Sequence, residues 1–157
     1  MSENEILKGI KEFFDIRELV DKETYDKYGE KAWQFMCPRL LHTMLVIRKE
    51  LDKSITANNW HTGGSFSQRG LRTNMQPIVK AKKKLYLSAH LMGKGIDFDV
   101  KGMTASEVRE WLVSNASKLP YPIRLENKFA KTGKEISWVH LDVFYNEKNS
   151  KVYLFNV

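Results

Sequence analysis

The stretch SAHLMGKGIDFDV, residues 88–100, constrains the fold of this chain more than any other. Its Ile96, Phe98 and Val100 favour a strand, yet His90, Gly93, Gly95, Asp97 and Asp99 interrupt them. Residues of these types weaken a sheet, so their presence implies another use. His90 and Asp97 are seven residues apart, too far to share one helical face. The intervening glycines permit a sharp turn that returns both side chains to one cavity. Imidazole and carboxylate both suit first-row divalent metals, and a catalytic zinc takes three protein ligands with a fourth position left for water. The chain has four histidines. His140, in WVHLD, lies in an apolar run where Trp138, His140 and Asp142 share one strand face by the period-two rule. Taken alone His140 reads as a core histidine. Taken with His90 and Asp97 it reads as the third ligand.

Other metal and redox chemistries are narrowed by composition. The single cysteine, Cys37, excludes an intrachain disulfide framework and a multi-cysteine zinc site. It sits beside Trp33, Phe35 and Met36 and reads as a buried structural thiol. The 157 residues suggest one domain, 1–157, long enough to form a core without staples. The first residues lack a basic segment followed by an apolar one, so the expectation is synthesis in the cytoplasm without a signal peptide. No window is apolar enough for a membrane span, and no membrane anchor is expected. Net charge is +7 with a pI near 9.4, which favours encounter with polyanions such as nucleic acid, wall polymers or acidic lipid. The run KAKKKLY, with Lys80 and Lys82 to Lys84, reads as a solvated face. Aromatic residues do not interleave with the cations, so no nucleic-acid partner is expected.

The pattern along the chain predicts an α+β fold, with N-terminal helices (residues 1–52) packed on a small, mostly antiparallel sheet that carries the metal-site core (54–157). Residues 6–14 and 15–36 read as helical, with Gly29 ending a turn. PRLLHTMLVIRKELD (38–52) is a helix with Pro38 in its first turn and apolar residues at helical spacing. Residues 54–60 read as a short strand leading to a polar loop, 61–74, which contains Arg69 and Arg72. The segment to Lys84 reads as helical or extended, and 85–100 as strand plus turn. TASEVREWLVSNASKL (104–119) is a helix whose Thr104 and Glu107 form a capping box. Strands are expected at 121–127, 135–146 and 151–157, with KTGK and NEKNS as turns.

SAHLMGKGID resembles the Ser-x-His-x-x-Gly-x-Ala-x-Asp motif of the zinc D-alanyl-D-alanine peptidases, a family that includes DD-carboxypeptidases, the vancomycin-resistance dipeptidase and phage L-alanyl-D-glutamate endolysins. WVHLD is similar to the family's third-ligand strand, and the two motifs stand in the right order about fifty residues apart. PRLLHTMLVIRKEL, SITANNW and SQRGLRTN resemble the family's helix, strand and arginine loop, extending the likeness over roughly residues 30–145. The resemblance implies zinc held by His90, Asp97 and His140, with Ser88 supporting the site. It implies a substrate carboxylate or carbonyl held by Arg69, with Arg72 a second candidate; a guanidinium fork suits either group.

Two positions depart from that family. Gly95 replaces a small alanine. Ser137 stands where many members carry the acid that serves as general base, and a serine cannot serve. Glu126 and Glu135 are the nearest glutamates on the adjoining hairpin; Glu126 is favoured because it ends an apolar strand. Asp142 is expected to orient a ligand imidazole. Asp99 competes with Asp97 as a ligand, and the motif spacing favours Asp97. The expected protein is a monomeric zinc metallopeptidase that hydrolyses peptidoglycan stem peptides, a phage-type lytic enzyme acting on the cell wall after release. The alternative is a non-catalytic zinc-containing wall-binding domain of the same fold. A basic nucleic-acid-binding protein is a third reading, supported only by the lysine run.

Overall fold

The computed structural model describes residues 1–157. Ser2 opens the first helix, α1 (Glu3–Ile10), through a reciprocal capping box with Glu5, and Ile6 and Ile10 on its inner face are buried. α2 (Lys22–Tyr28) is capped by Asp21 and ends at Gly29. α3 (Pro38–Leu51) places its proline in the first turn and buries Leu40, Leu41, Met44, Leu45 and Ile47. α1 and α3 pack together as the N-terminal layer. The region 15–36, expected helical with Gly29 ending a turn, is divided: 3₁₀ turns at Ile16–Glu18 and Gly29–Phe35 flank α2. Asp15 drives the first break, because its side chain caps a new turn by accepting from the Arg17 amide.

Five strands form one sheet: β1 (Ile55–Thr56), β2 (Gly95–Val100), β3 (Ile123–Glu126), β4 (Val139–Asp142) and β5 (Val152–Phe155). Their order is β1-β2-β4-β3-β5, antiparallel throughout except for the parallel pair β3–β5. With N-terminal helices on a mostly antiparallel sheet, the fold is α+β as the sequence predicts. Alternation divides the sheet into two chemistries. Ile96, Phe98, Ile123, Leu125, Val139 and Leu141 face the common hydrophobic core. Asp97, Arg124, Glu126, His140 and Asp142 face the other way and line one pocket. The register aligns them, with Asp97 opposite His140, Arg124 opposite Asp142, and Glu126 opposite Phe155.

Of the strand plus turn expected over 85–100, the strand is shorter than its pattern implies. Residues 85–88 have no strand partner, Ala89–Met92 form a 3₁₀ turn, and pairing begins at Gly95. Gly93 is the cause. Its φ of +63° is left-handed, and a Cβ there would lie 2.0 Å from the Phe35 carbonyl oxygen. The Gly93 carbonyl in turn accepts from the Cys37 amide at 2.9 Å. Cys37 itself is free and only partly buried, packed against the core.

α4 (Pro77–Lys80) is a single short turn of helix, and α5 (Ala105–Ser114) packs on β2 and β4. Thr104 and Glu107 form the predicted capping box at its start. Thr104→Ala is expected to lower unfolding free energy by about 1 kcal/mol, read as a shift in the denaturant midpoint at unchanged slope. No helix is long and apolar enough to cross a membrane.

Candidate metal centre

His90, Asp97 and His140 come from two separate elements and one turn. The Gly93 turn swings His90 back over β2, β2 presents Asp97, and the β2–β4 register sets His140 directly opposite. One donor atom from each side chain lies within 4.8 Å of the others. His140 Nδ1 is 2.8 Å from Asp97 Oδ1, His90 Nε2 is 3.2 Å from His140 Nδ1, and His90 Nε2 is 3.3 Å from Asp97 Oδ1. Ligands of a tetrahedral zinc with bonds of about 2.0–2.1 Å stand about 3.3 Å apart. The three donors therefore fit a small divalent metal.

The tautomers point the same way. His90 Nδ1 lies 2.8 Å from the Gly70 carbonyl, which can only accept, so this nitrogen carries the proton and Nε2 offers its lone pair. His140 Nε2 donates to Asp142 Oδ2 at 2.9 Å, which leaves Nδ1 facing the cluster. Asp142 is fully buried and is itself held by both Nε and Nη2 of Arg124, at 2.7 and 3.0 Å, and by the Phe144 amide. Asp97 divides its oxygens: Oδ1 faces the imidazoles, and Oδ2 accepts from Arg72 Nη2 at 3.1 Å. Two imidazole lone pairs and a carboxylate oxygen thus converge in a site where water is scarce. Such a set is stable only around a cation or a shared proton.

In the metal-free protein that cation is a proton. Burial pushes the His140 imidazolium down, but hydrogen bonds to Asp142 and Asp97 outweigh it and raise its pKa to about 9. Burial likewise opposes ionisation of Asp97, yet the hydrogen bond from His140 holds its carboxyl well below the usual range. Below about pH 9 a dication must displace the His140 proton, so metal affinity is expected to rise with pH. One displaced proton gives about tenfold per pH unit. Competition against a chromophoric chelator across neutral pH measures this slope; a flat profile would mean that His140 is not a ligand.

Glu126 lies one residue beyond the β3–β4 pairing, with Oε1 4.0 Å from His140 Nδ1. Burial raises its pKa, partly offset by the neighbouring His140. The cluster, Glu126, Arg72, Arg124 and Asp142 line a pocket of about 510 Å³ walled by Tyr86, Trp138, Phe144 and Phe155. Ser88 lines it too, and its buried hydroxyl has no hydrogen-bond partner.

Other residues named from the sequence lie elsewhere. Arg69 is outside the pocket lining: Nη1 donates to Asp99 Oδ2 at 2.6 Å, and its guanidinium stacks 3.7 Å from the Phe66 ring centroid. The Arg69 carbonyl nevertheless accepts from the Asp97 amide at 2.7 Å, so its backbone braces the site. Asp99 is thereby occupied by Arg69 and is not part of the three-donor cluster. Glu135 and Ser137 line a separate cleft with Thr104 and Arg109. Sequence reasoning did not single out Arg124 or the Gly70 carbonyl. The available signal for Arg124 was its alternation with Ile123 and Leu125, which puts a cation on the polar sheet face beside Glu126.

The fold and site thus define an α+β protein with a buried His/His/Asp cluster of the zinc-binding type. No family, no curated protein and no solved structure matches the chain in comparisons with each.

Proposed function

We propose that this protein is a zinc-dependent peptidase acting on peptidoglycan stem peptides. The observation that carries the reading is Glu126: a carboxylate of raised pKa, 4.0 Å from His140 Nδ1 and directed to the same pocket as the three donors. When bound, zinc supplies Lewis-acid activation of water and of a scissile carbonyl. Glu126 accepts the proton released as water attacks and returns it to the leaving amine. Its raised pKa suits both transfers, because a weaker acid is a better base and still a competent donor. Arg72 holds Asp97 in register and lends positive charge to the pocket wall, where a substrate carbonyl or carboxylate is received. Asp142, fixed by Arg124, keeps the His140 ring aimed at the cluster. Trp138 and Phe155 supply the apolar walls that limit water. The choice of stem peptides rests on the resemblance of SAHLMGKGID and WVHLD to the D-alanyl-D-alanine peptidases, as does a lytic role at the cell wall after release.

A second reading asks less of the molecule. A non-catalytic zinc-containing wall-binding domain needs only the metal cluster, and two observations favour it. Its three donor residues are only 4–6% exposed, in keeping with a closed structural site. Glu126 is also the next carboxylate beside the cluster, with Oε1 4.0 Å from His140 Nδ1, a position from which it could serve as a fourth ligand. Purified peptidoglycan separates the readings. Release of new amino termini and of defined muropeptides supports the peptidase; binding to wall material with no product released supports the binding domain.

A further inference from the structure

The net positive charge of this chain comes from one stretch. Residues 53–96 contain eight Lys and Arg and no Asp or Glu, whereas the remaining residues carry 18 cations against 19 acids. Within that stretch an arm projects from the fold. Of residues 80–87 only Tyr86 is partly covered; the other seven are exposed. They include Lys80, Lys82, Lys83 and Lys84, followed by Leu85 at 87% exposure and Leu87 at 62%. Met75 and Ile78 are exposed beside them. The arm is fixed at both ends. Gln76 is buried and donates to Asp21 Oδ2 at 2.6 Å, while Ala89 and His90 are buried at the far end.

Single exposed leucines require no explanation, but four large apolar side chains among four lysines on one acid-free arm do. A soluble polyanion would engage the ammonium groups and leave the leucines in water. A bilayer surface accommodates both. Aliphatic side chains enter the boundary between headgroups and acyl chains, while lysines stay level with the phosphates.

We propose that the arm 75–87 docks this protein on the surface of an anionic lipid bilayer. This is adsorption to one leaflet rather than insertion across it. Ile78, Tyr86 and Leu87 also line the pocket that contains the His/His/Asp cluster, so docking sets the mouth of that pocket against the lipid surface.

The test is co-sedimentation of the full chain with vesicles. Binding is expected to vesicles of equal parts phosphatidylglycerol and phosphatidylcholine, to weaken with salt, and to be absent with phosphatidylcholine alone. Leu85→Ser is expected to weaken it about tenfold or more. The triple substitution Lys82→Gln, Lys83→Gln, Lys84→Gln should weaken it about a hundredfold. None of these four side chains lines the pocket, and all are exposed, so melting temperature and metal content should hold. Failure of the unaltered protein to bind the anionic vesicles overturns the proposal. So does unchanged vesicle binding by Leu85→Ser, which would mean that the apolar side chains of the arm do not enter the lipid surface.

Discussion

Purified protein is expected to contain about one zinc per chain, and the double variant His90→Ala, His140→Ala is expected to contain none. The two imidazoles supply two of the three converging donors, and without them only the Asp97 carboxylate remains of the cluster. A single aspartate cannot hold zinc against buffer. Metal bound only to the native state also stabilises it. At a free concentration about a thousand times the dissociation constant the gain is about 4 kcal/mol, or roughly 10 °C in Tm for a chain of this size. Zinc should therefore raise the melting temperature of the unaltered protein and leave that of the double variant unmoved. Elemental analysis alongside thermal melts with and without chelator measures both. Full zinc occupancy in the double variant would remove the metal assignment and the peptidase proposal together.

Glu126→Gln is expected to leave zinc content intact while lowering hydrolysis of wall peptides by roughly 10²–10⁴-fold, the usual consequence of losing a general base. The amide keeps the size of the carboxylate but cannot take a proton. The same substitution distinguishes the two proposed functions. If Glu126 serves as a fourth ligand in a structural site, Glu126→Gln weakens metal affinity instead, and there is no turnover to lose. If activity persists in full while Asp142→Asn or Glu135→Gln abolishes it with zinc retained, another acid is the base. Asp142 is already committed to His140 and Arg124, and Glu135 lies in a different cleft, so the geometry favours Glu126 over both.

The convergence of His90, Asp97 and His140 was legible because each stands out locally. A histidine or aspartate among strand-forming residues, with glycines between, has few structural uses. Glu126 was legible through the hairpin, since pairing 121–127 with 135–146 brings it beside His140. Arg124 and the Gly70 carbonyl were not. Arg124 reaches Asp142 only because β3 and β4 adopt one register, and a shift of one residue would put it on the core face. The Gly70 carbonyl is a backbone group in a polar loop, and a glycine has no side chain to announce that it orients a ligand. Alternating Leu-Tyr-Leu at 85–87 has the composition of a strand, yet the arm forms none. Pairing needs a neighbour, and residues 85–88 have none.

The loop that orients His90 is itself held by the segment 18–20 that leads into α2. The Leu71 amide donates to the Leu19 carbonyl at 2.8 Å, and the Asn58 amide to the Glu18 carbonyl at 2.9 Å. Asn58 Nδ2 and Trp60 Nε1 both donate to the Val20 carbonyl. At Gly70 a Cβ would lie 2.1 Å from the Leu19 oxygen, so the two backbones run almost in contact. The helical and sheet-bearing parts of the chain therefore divide its secondary structure but not its cooperativity. A fragment beginning at residue 54 would retain all three donors and lose the scaffold that aims one of them. Conversely, ion binding should slow deuterium uptake at the Asn58 and Leu71 amides, which touch no ligand atom, because opening them releases the carbonyl that fixes the His90 ring.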